Sequence, residues 1–129
     1  RLGDLAGGSV ASEASAVSAD GTVVVGEGRS ENDGEAFRWT AATGMVGLGF
    51  LFPGADQRSA ATEVSADGNV VVGFNTSATG TQAFRWTASG GMVGLGYPAG
   101  GGSESLAFGV SADGSTVAGF AVGDEGPLV

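Results

Sequence analysis

The sequence predicts an all-β fold of β-propeller-like blades, with four antiparallel strands in each repeat of about 46 residues. Three observations predict it. Shifted by 47 residues the chain matches itself: Val17-Ser-Ala-Asp-Gly21 falls on Val64-Ser-Ala-Asp-Gly68, and Ala36-Phe-Arg-Trp-Thr-Ala41 falls on Ala83-Phe-Arg-Trp-Thr-Ala88. Gly44-Met-Val-Gly-Leu-Gly49 falls on Gly91-Met-Val-Gly-Leu-Gly96, and Val110-Ser-Ala-Asp-Gly114 opens a third copy. Second, each copy sets an Asp-Gly pair between apolar, β-branched stretches, a strong hairpin signal because glycine takes the positive φ of the turn. Third, no apolar pattern at three-and-four spacing survives the 26 glycines, each costing a helix interior about 1 kcal/mol relative to alanine. A β-trefoil, also three units of four strands, is the alternative fold.

The elements follow in order within a unit. Ser12-x-Ala14-x-x-Val17 makes a first strand and Thr22-Val-Val-Val-Gly26 a second, joined by the Ser-Ala-Asp-Gly turn. The unbroken valine run fits a strand covered on both faces by neighbouring units. Residues Glu27 to Glu35, and Phe74 to Gln82 in the next copy, are polar, aperiodic and poorly retained, which predicts a variable loop. In Ala36-Phe-Arg-Trp-Thr40, Phe37 and Trp39 share one face while Ala36, Arg38 and Thr40 share the other, a third strand. A short turn then leads to Met45-Val-Gly-Leu48 as the fourth.

This predicts one repeat domain over residues 1–129, with units at 6–51, 52–98 and 99–129, the last incomplete. Arg1-Leu-Gly-Asp-Leu5 matches Gly47-Leu-Gly-Phe-Leu51, so residues 1–5 are expected to close a preceding unit, and the chain to be an excised piece of a longer one. Exposed edges of such units are sticky, which predicts self-association or pairing with neighbouring repeats.

Composition removes several functions. The net charge is -9 and the five cations, Arg1, Arg29, Arg38, Arg58 and Arg85, form no basic stripe, so nucleic acid is not an expected partner. With no histidine and no cysteine, histidine-based catalysis, thiol nucleophiles, disulfides and iron–sulfur clusters are excluded. No apolar run approaches the ~20 residues of a helical membrane span.

The ordered motifs Ser-x-Ala-x-x-Val-Ser-Ala-Asp-Gly, Val-Val-Val-Gly, Ala-Phe-Arg-Trp-Thr and Gly-Met-Val-Gly-Leu-Gly resemble the HAF family of bacterial probable extracellular repeats, over essentially the whole chain. The resemblance implies a secreted or surface-displayed bacterial protein with such units in tandem, and no established reaction. The family's His-Ala-Phe triplet is altered here. Its histidine position holds Glu35 and Gln82, so no histidine role transfers.

Four groups are candidate site residues, and each has a structural reading beside the chemical one. Asp20, Asp67 and Asp113 recur like calcium ligands, but six to eight oxygens are needed and no second acid lies within two positions, which favours turn formation. Glu27, Glu31, Asp33 and Glu35 cluster in the first variable loop, with Asp124 and Glu125 near the matching loop of the third unit; the second unit has no acid there, which argues against a repeated metal site. Arg38 and Arg85 could hold an anion or sugar, yet stacking on a tryptophan and pairing with a carboxylate of the next unit would leave the same signature. Trp39 and Trp86 could be sugar platforms, but recurrence beside Phe37 and Phe84 favours the core between units.

The expected function is a structural or adhesive module, binding through its variable loops, without catalysis, cofactor or metal. A glycan-binding propeller lectin is the alternative and a hydrolase the third possibility; a distinctive carboxylate pair in one copy only would mark the last, and none stands out.

Overall fold

The computed structural model describes residues 2–7, 11–31, 33–98, 101–123 and 126–127, with backbone alone for Asp33, Gly126 and Pro127. The described residues are all-β, in two sheets and without a helix. The first unit contains β1 (Ser12–Val17), β2 (Val24–Ser30), β3 (Asp33–Thr40) and β4 (Gly44–Gly47). The second contains β5 (Arg58–Val64), β6 (Val71–Ser77), β7 (Gly80–Thr87) and β8 (Gly91–Gly94). The third contains β9 (Gly102–Val110), β10 (Val117–Gly123) and β11 (Gly126–Pro127).

Strands β1 to β4 form an antiparallel meander in chain order, and β5 to β8 repeat it. The second and third units count as one seven-stranded sheet because a single parallel bridge, Thr81 with Glu104, ties β7 to β9. Each unit also bulges at an equivalent place, between Ala14 and Ala16, between Ala61 and Glu63, and opposite Ala118 and Gly119, and the third has a further register shift opposite Val122 and Gly123. An extra residue there sharpens the twist of the first hairpin. Repetition in sequence has become repetition in backbone.

The valine run behaves as two-sided burial requires. Val71 joins the core shared with the first unit, alongside Val23, Val25, Ala36, Leu48, Ala61, Val64 and Phe84. Val70 and Val72 point the other way, into a second core with Ala83 and Ala107. A strand with apolar neighbours on both faces has no solvent side on which to place polar residues. The apolar seams between successive units are therefore the core of the molecule.

Two expectations change. The stretches expected as variable loops are mostly ladder: Glu27 pairs with Ala36, Gly28 with Glu35, Arg29 with Gly34 and Ser30 with Asp33, and Phe74 to Ser77 pair likewise with Ala83 to Gly80. Their polar sequence carries no period of two, but backbone pairing continued from the aromatic strand supplies the order that side chains do not. What varies without a ladder is the hairpin tip alone. Trp39 and Trp86, expected in the core, are only partly buried, while Phe37 and Phe84 are completely so.

The connection from β4 to β5 is held by Asn75, whose place is taken by Gly28 and Ala121 in the other units. Buried Asn75 accepts from the Leu51 amide at 3.1 Å and donates to Gln57 Oε1 at 3.1 Å, and Gln57 Nε2 donates to the Phe52 carbonyl. Two amide side chains thus stand in for the regular pairing that a loop lacks.

Candidate functional site

The recurring polar and aromatic residues converge on the seams. At the first seam, Ser59 at the start of β5 is wholly buried; its Oγ accepts from the Ala36 amide at 2.9 Å and donates to the Gly49 carbonyl at 2.8 Å. Ser105 does the same at the second seam, with the Ala83 amide at 2.9 Å and the Gly96 carbonyl at 2.9 Å. One hydroxyl thereby satisfies two backbone groups that the meander leaves unpaired, and burying them unpaired would cost about 1–3 kcal/mol each. The sequence does signal these serines, as the first position of Ser-x-Ala-x-x-Val. Nothing in the sequence says that their partners lie in the preceding unit.

Glu35 and Gln82 also hold backbone. Oε1 of Glu35 accepts the Gly49 amide at 3.0 Å and Oε1 of Gln82 accepts the Gly96 amide at 3.1 Å, while each side chain lies so close over Gly47 or Gly94 that a Cβ there would overlap it. Acid and amide are interchangeable in this role because only an acceptor oxygen is used.

Arg38 and Arg85 reach across the seams. Arg38 Nε donates to the Gly68 carbonyl at 3.0 Å, and its guanidinium lies 5.9 Å from the centre of the Trp86 ring. Arg85 Nε and Nη2 donate to the Gly114 carbonyl at 3.2 and 3.1 Å. The stacking on a tryptophan of the next unit is as expected, but the polar partner is a turn carbonyl rather than a carboxylate. The turn offers a C=O at the same place in the second and third units, on the buried glycines Gly68 and Gly114.

The three aspartates each organise a turn. Asp20 Oδ1 accepts from Ser18 Oγ, the Thr22 amide and Thr22 Oγ1 at 2.9, 3.0 and 2.7 Å, and Ser18 Oγ in turn accepts the Val23 amide at 3.0 Å. Asp67 and Asp113 repeat the arrangement with Ser65 and Asn69, and with Ser111 and Ser115. The turns stack on one another. The Ala19 amide donates to Ala66 at 3.1 Å and the Ala66 amide to Ala112 at 3.2 Å. Among the described residues no three acidic side chains come together as a metal-binding group.

These hydrogen bonds lower the aspartate pKa values. The Thr22 hydroxyl and amide do so for Asp20, the Ser65 hydroxyl and Asn69 amide for Asp67, and the Ser115 amide and hydroxyl with Ser111 pull Asp113 from 3.8 to about 2. A carboxylate with its pKa depressed on folding adds stability that is complete above 3.8 and is lost as the pH falls toward about 2. Melting temperature measured across that window is therefore expected to fall less steeply in Asp113→Asn than in the parent, the two curves converging at the acid end. Parallel curves would show that the turn carboxylate is not held by its neighbours.

The acidic cluster is divided by the ladder. Glu27 pairs with Arg58 of β5 in a bidentate contact, Nε to Oε1 at 2.8 Å and Nη2 to Oε2 at 2.5 Å, with Arg58 also 5.6 Å from the centre of the Phe74 ring. Glu35 serves Gly49, Glu31 sits at the exposed hairpin tip, and the side chain of Asp33 and all of Asp124 and Glu125 lie outside the described residues. A cleft of about 440 Å³ adjoins the Glu27–Arg58 pair, lined by Ser12, Glu13, Gly28 and Arg29 as well. Within it Glu27 and Arg58 offset one another's charge.

No family model matches the chain, and no curated protein matches it either. Among solved structures it is similar to TolB from Acinetobacter baumannii, with a TM-score of 0.61 and 17% identity over 95% of this chain and 29% of that one. The likeness at this identity is one of fold alone, an all-β chain resembling a β-propeller, and it lends the trefoil no support. The chain spans less than a third of TolB's length.

Proposed function

We propose that the chain is a run of four-stranded propeller blades from a secreted or surface-displayed bacterial repeat protein of the HAF type. It serves as a structural and adhesive module without catalytic chemistry. One observation carries this reading: the polar and aromatic side chains that recur from unit to unit are taken up in turns and seams, while the hairpin tips differ between units. Ser30-Glu31-Asn32-Asp33 is acidic and Ser77-Ala78-Thr79-Gly80 is neutral, yet the ladders leading to them keep the same register. A constant scaffold with variable tips is how loops on rigid supports come to carry recognition. The likeness to TolB supports the propeller part of the reading, and the family resemblance supports the location.

The test is retention of the purified protein on immobilised bacterial envelope and on a glycan array, with a variant in which residues 30–33 are exchanged for the sequence of 77–80. Envelope retention that depends on the tip, without turnover of any glycan, is expected. Saturable binding of free sugar at one site per unit would favour the lectin alternative, and bond cleavage would overturn the non-catalytic reading.

A further inference from the structure

One cross-strand pair changes character from unit to unit. Glu13 of β1 stands directly opposite Glu27 of β2, where the second unit sets Ala60 opposite Phe74 and the third Leu106 opposite Phe120. Like charges directly opposite one another destabilise a ladder, whereas an apolar pair supports it. The fold therefore accepts apolar residues at this position and gains nothing from two carboxylates. Arg58 takes up Glu27, but Glu13 is exposed and enters no hydrogen bond or ion pair among the described residues.

The seam beside this pair stands open. At the second seam Thr62 Oγ1 donates to the Ala107 carbonyl at 2.6 Å and ties β5 to β9. At the first seam Ser15 and Ala61 hold those two places, and no such bond joins them among the described residues. A recess of about 200 Å³ lies there instead, lined by Ser15, Ala61 and Phe74. Glu13, Glu27 and Arg58 line both this recess and the cleft of about 440 Å³. Both walls belong to the first and second units, each with its four strands in place. An opening of several hundred Å³ is the size that takes a small organic molecule.

Charge and hydrogen-bonding capacity narrow the ligand class. Glu13 and Glu27 are matched by Arg29 and Arg58 along the larger cleft, so its net charge selects neither a cation nor an anion. Carboxylates accept hydrogen bonds and guanidinium groups donate them, which suits a ligand whose groups do both. Ring hydroxyls do both. We propose that this cleft binds one neutral saccharide per chain, with hydroxyls donated to the Glu13 carboxylate and bridging the Glu27–Arg58 pair. The inference goes beyond the adhesive reading, which places contact at the hairpin tips. A single site in the first seam also differs from the one site per unit of a propeller lectin.

The experiment titrates glucose, galactose, mannose and N-acetylglucosamine into the full chain, followed by saturation-transfer difference NMR, with glucosamine and glucuronate as charged controls. Saturable binding of at least one of the four neutral sugars is expected, and it should persist when sodium chloride is raised to about 0.5 M, because salt does not screen a neutral ligand. Glu13→Ala changes an exposed residue to the type that the second unit carries at Ala60, so the variant folds. It is expected to weaken binding about tenfold or more, the usual result of losing a hydrogen bond to a charged group. Glu31→Ala, at the exposed hairpin tip, should leave the affinity unchanged. Equal affinity in Glu13→Ala, or no saturable binding of any neutral sugar, would overturn the inference. So would binding of glucosamine alone, lost as salt is raised, since the cleft would then be a cation site. Failure of every neutral sugar with tip-dependent envelope retention intact sinks this inference alone; the reverse sinks the functional reading alone.

Discussion

Phe84→Ala is expected to destabilise the chain by about 3–5 kcal/mol, because it deletes a wholly buried aromatic ring and leaves a cavity between two sheets that cannot close over it. The ring sits in the first seam among Val23, Val25, Ala36, Leu48, Ala61, Val64 and Val71, residues of two different units. Their backbones are fixed by separate ladders, so collapse into the space would break pairing in one or the other. Against a total margin of about 5–15 kcal/mol such a loss is plain in a denaturant melt. Trp86→Ala is expected to cost less, since Trp86 is only partly buried and gives up, beyond its packing, the stack with Arg38, worth about 0.5–1 kcal/mol at an exposed site. The order Phe84 above Trp86 is the result to check by the shift of unfolding midpoint. The reverse order would make the tryptophan, not the phenylalanine, the main apolar anchor of the seam.

The second large effect belongs to a glycine, and its twin in the preceding unit supplies the control. Gly21 and Gly68 hold the same place in their turns, with φ of 77° and 78°. A side chain at either must adopt the left-handed conformation, at roughly 1–2 kcal/mol. A Cβ on Gly21 would meet nothing within 4 Å, but one on Gly68 would lie 2.5 Å from Val23 Cγ2. Val23 is buried in the seam and has no room to withdraw, so overpacking adds about 1–3 kcal/mol. Gly68→Ala is therefore expected to be clearly more destabilising than Gly21→Ala in parallel denaturant melts. Equal losses would show that the stacked turns do not press on the unit before them.

How much of this was legible follows from what repeats. The hairpin at Asp20-Gly21, the all-β class and the two-sided burial of Val70, Val71 and Val72 could be read from residue types, because turn geometry and apolar run length are local properties. The turn role of Asp20, Asp67 and Asp113 was legible for the same reason. Partners across a seam were not. That Arg38 would choose the Gly68 carbonyl, or that Ser59 would bridge Ala36 and Gly49, depends on how one unit sits on the next, and no local pattern encodes that offset. The stretches Glu27 to Glu35 and Phe74 to Gln82 misled because their order comes from backbone pairing inherited from the neighbouring strand, which leaves no period in the side chains. Trp39 and Trp86 misled because alternation puts them on the same face as Phe37 and Phe84 but cannot say how far along the strand the seam extends. Trp86 lies at its margin, and Trp39 is likewise only partly buried.

The claim beneath all of this is that residues recur in this chain in order to join one unit to the next. Ser12 and Ser59 test it most directly, being the same residue at the same repeat position with different surroundings. Ser59 is buried and bonded to two backbone groups of the preceding unit, whereas Ser12 is exposed. The account predicts that Ser59→Ala lowers stability by about 1–3 kcal/mol, the cost of leaving buried backbone groups unpaired. Ser12→Ala should change it by no more than about 0.5 kcal/mol, as at an ordinary surface site. Equal and small changes for both serines, measured as unfolding free energies in the same denaturant series, would contradict it.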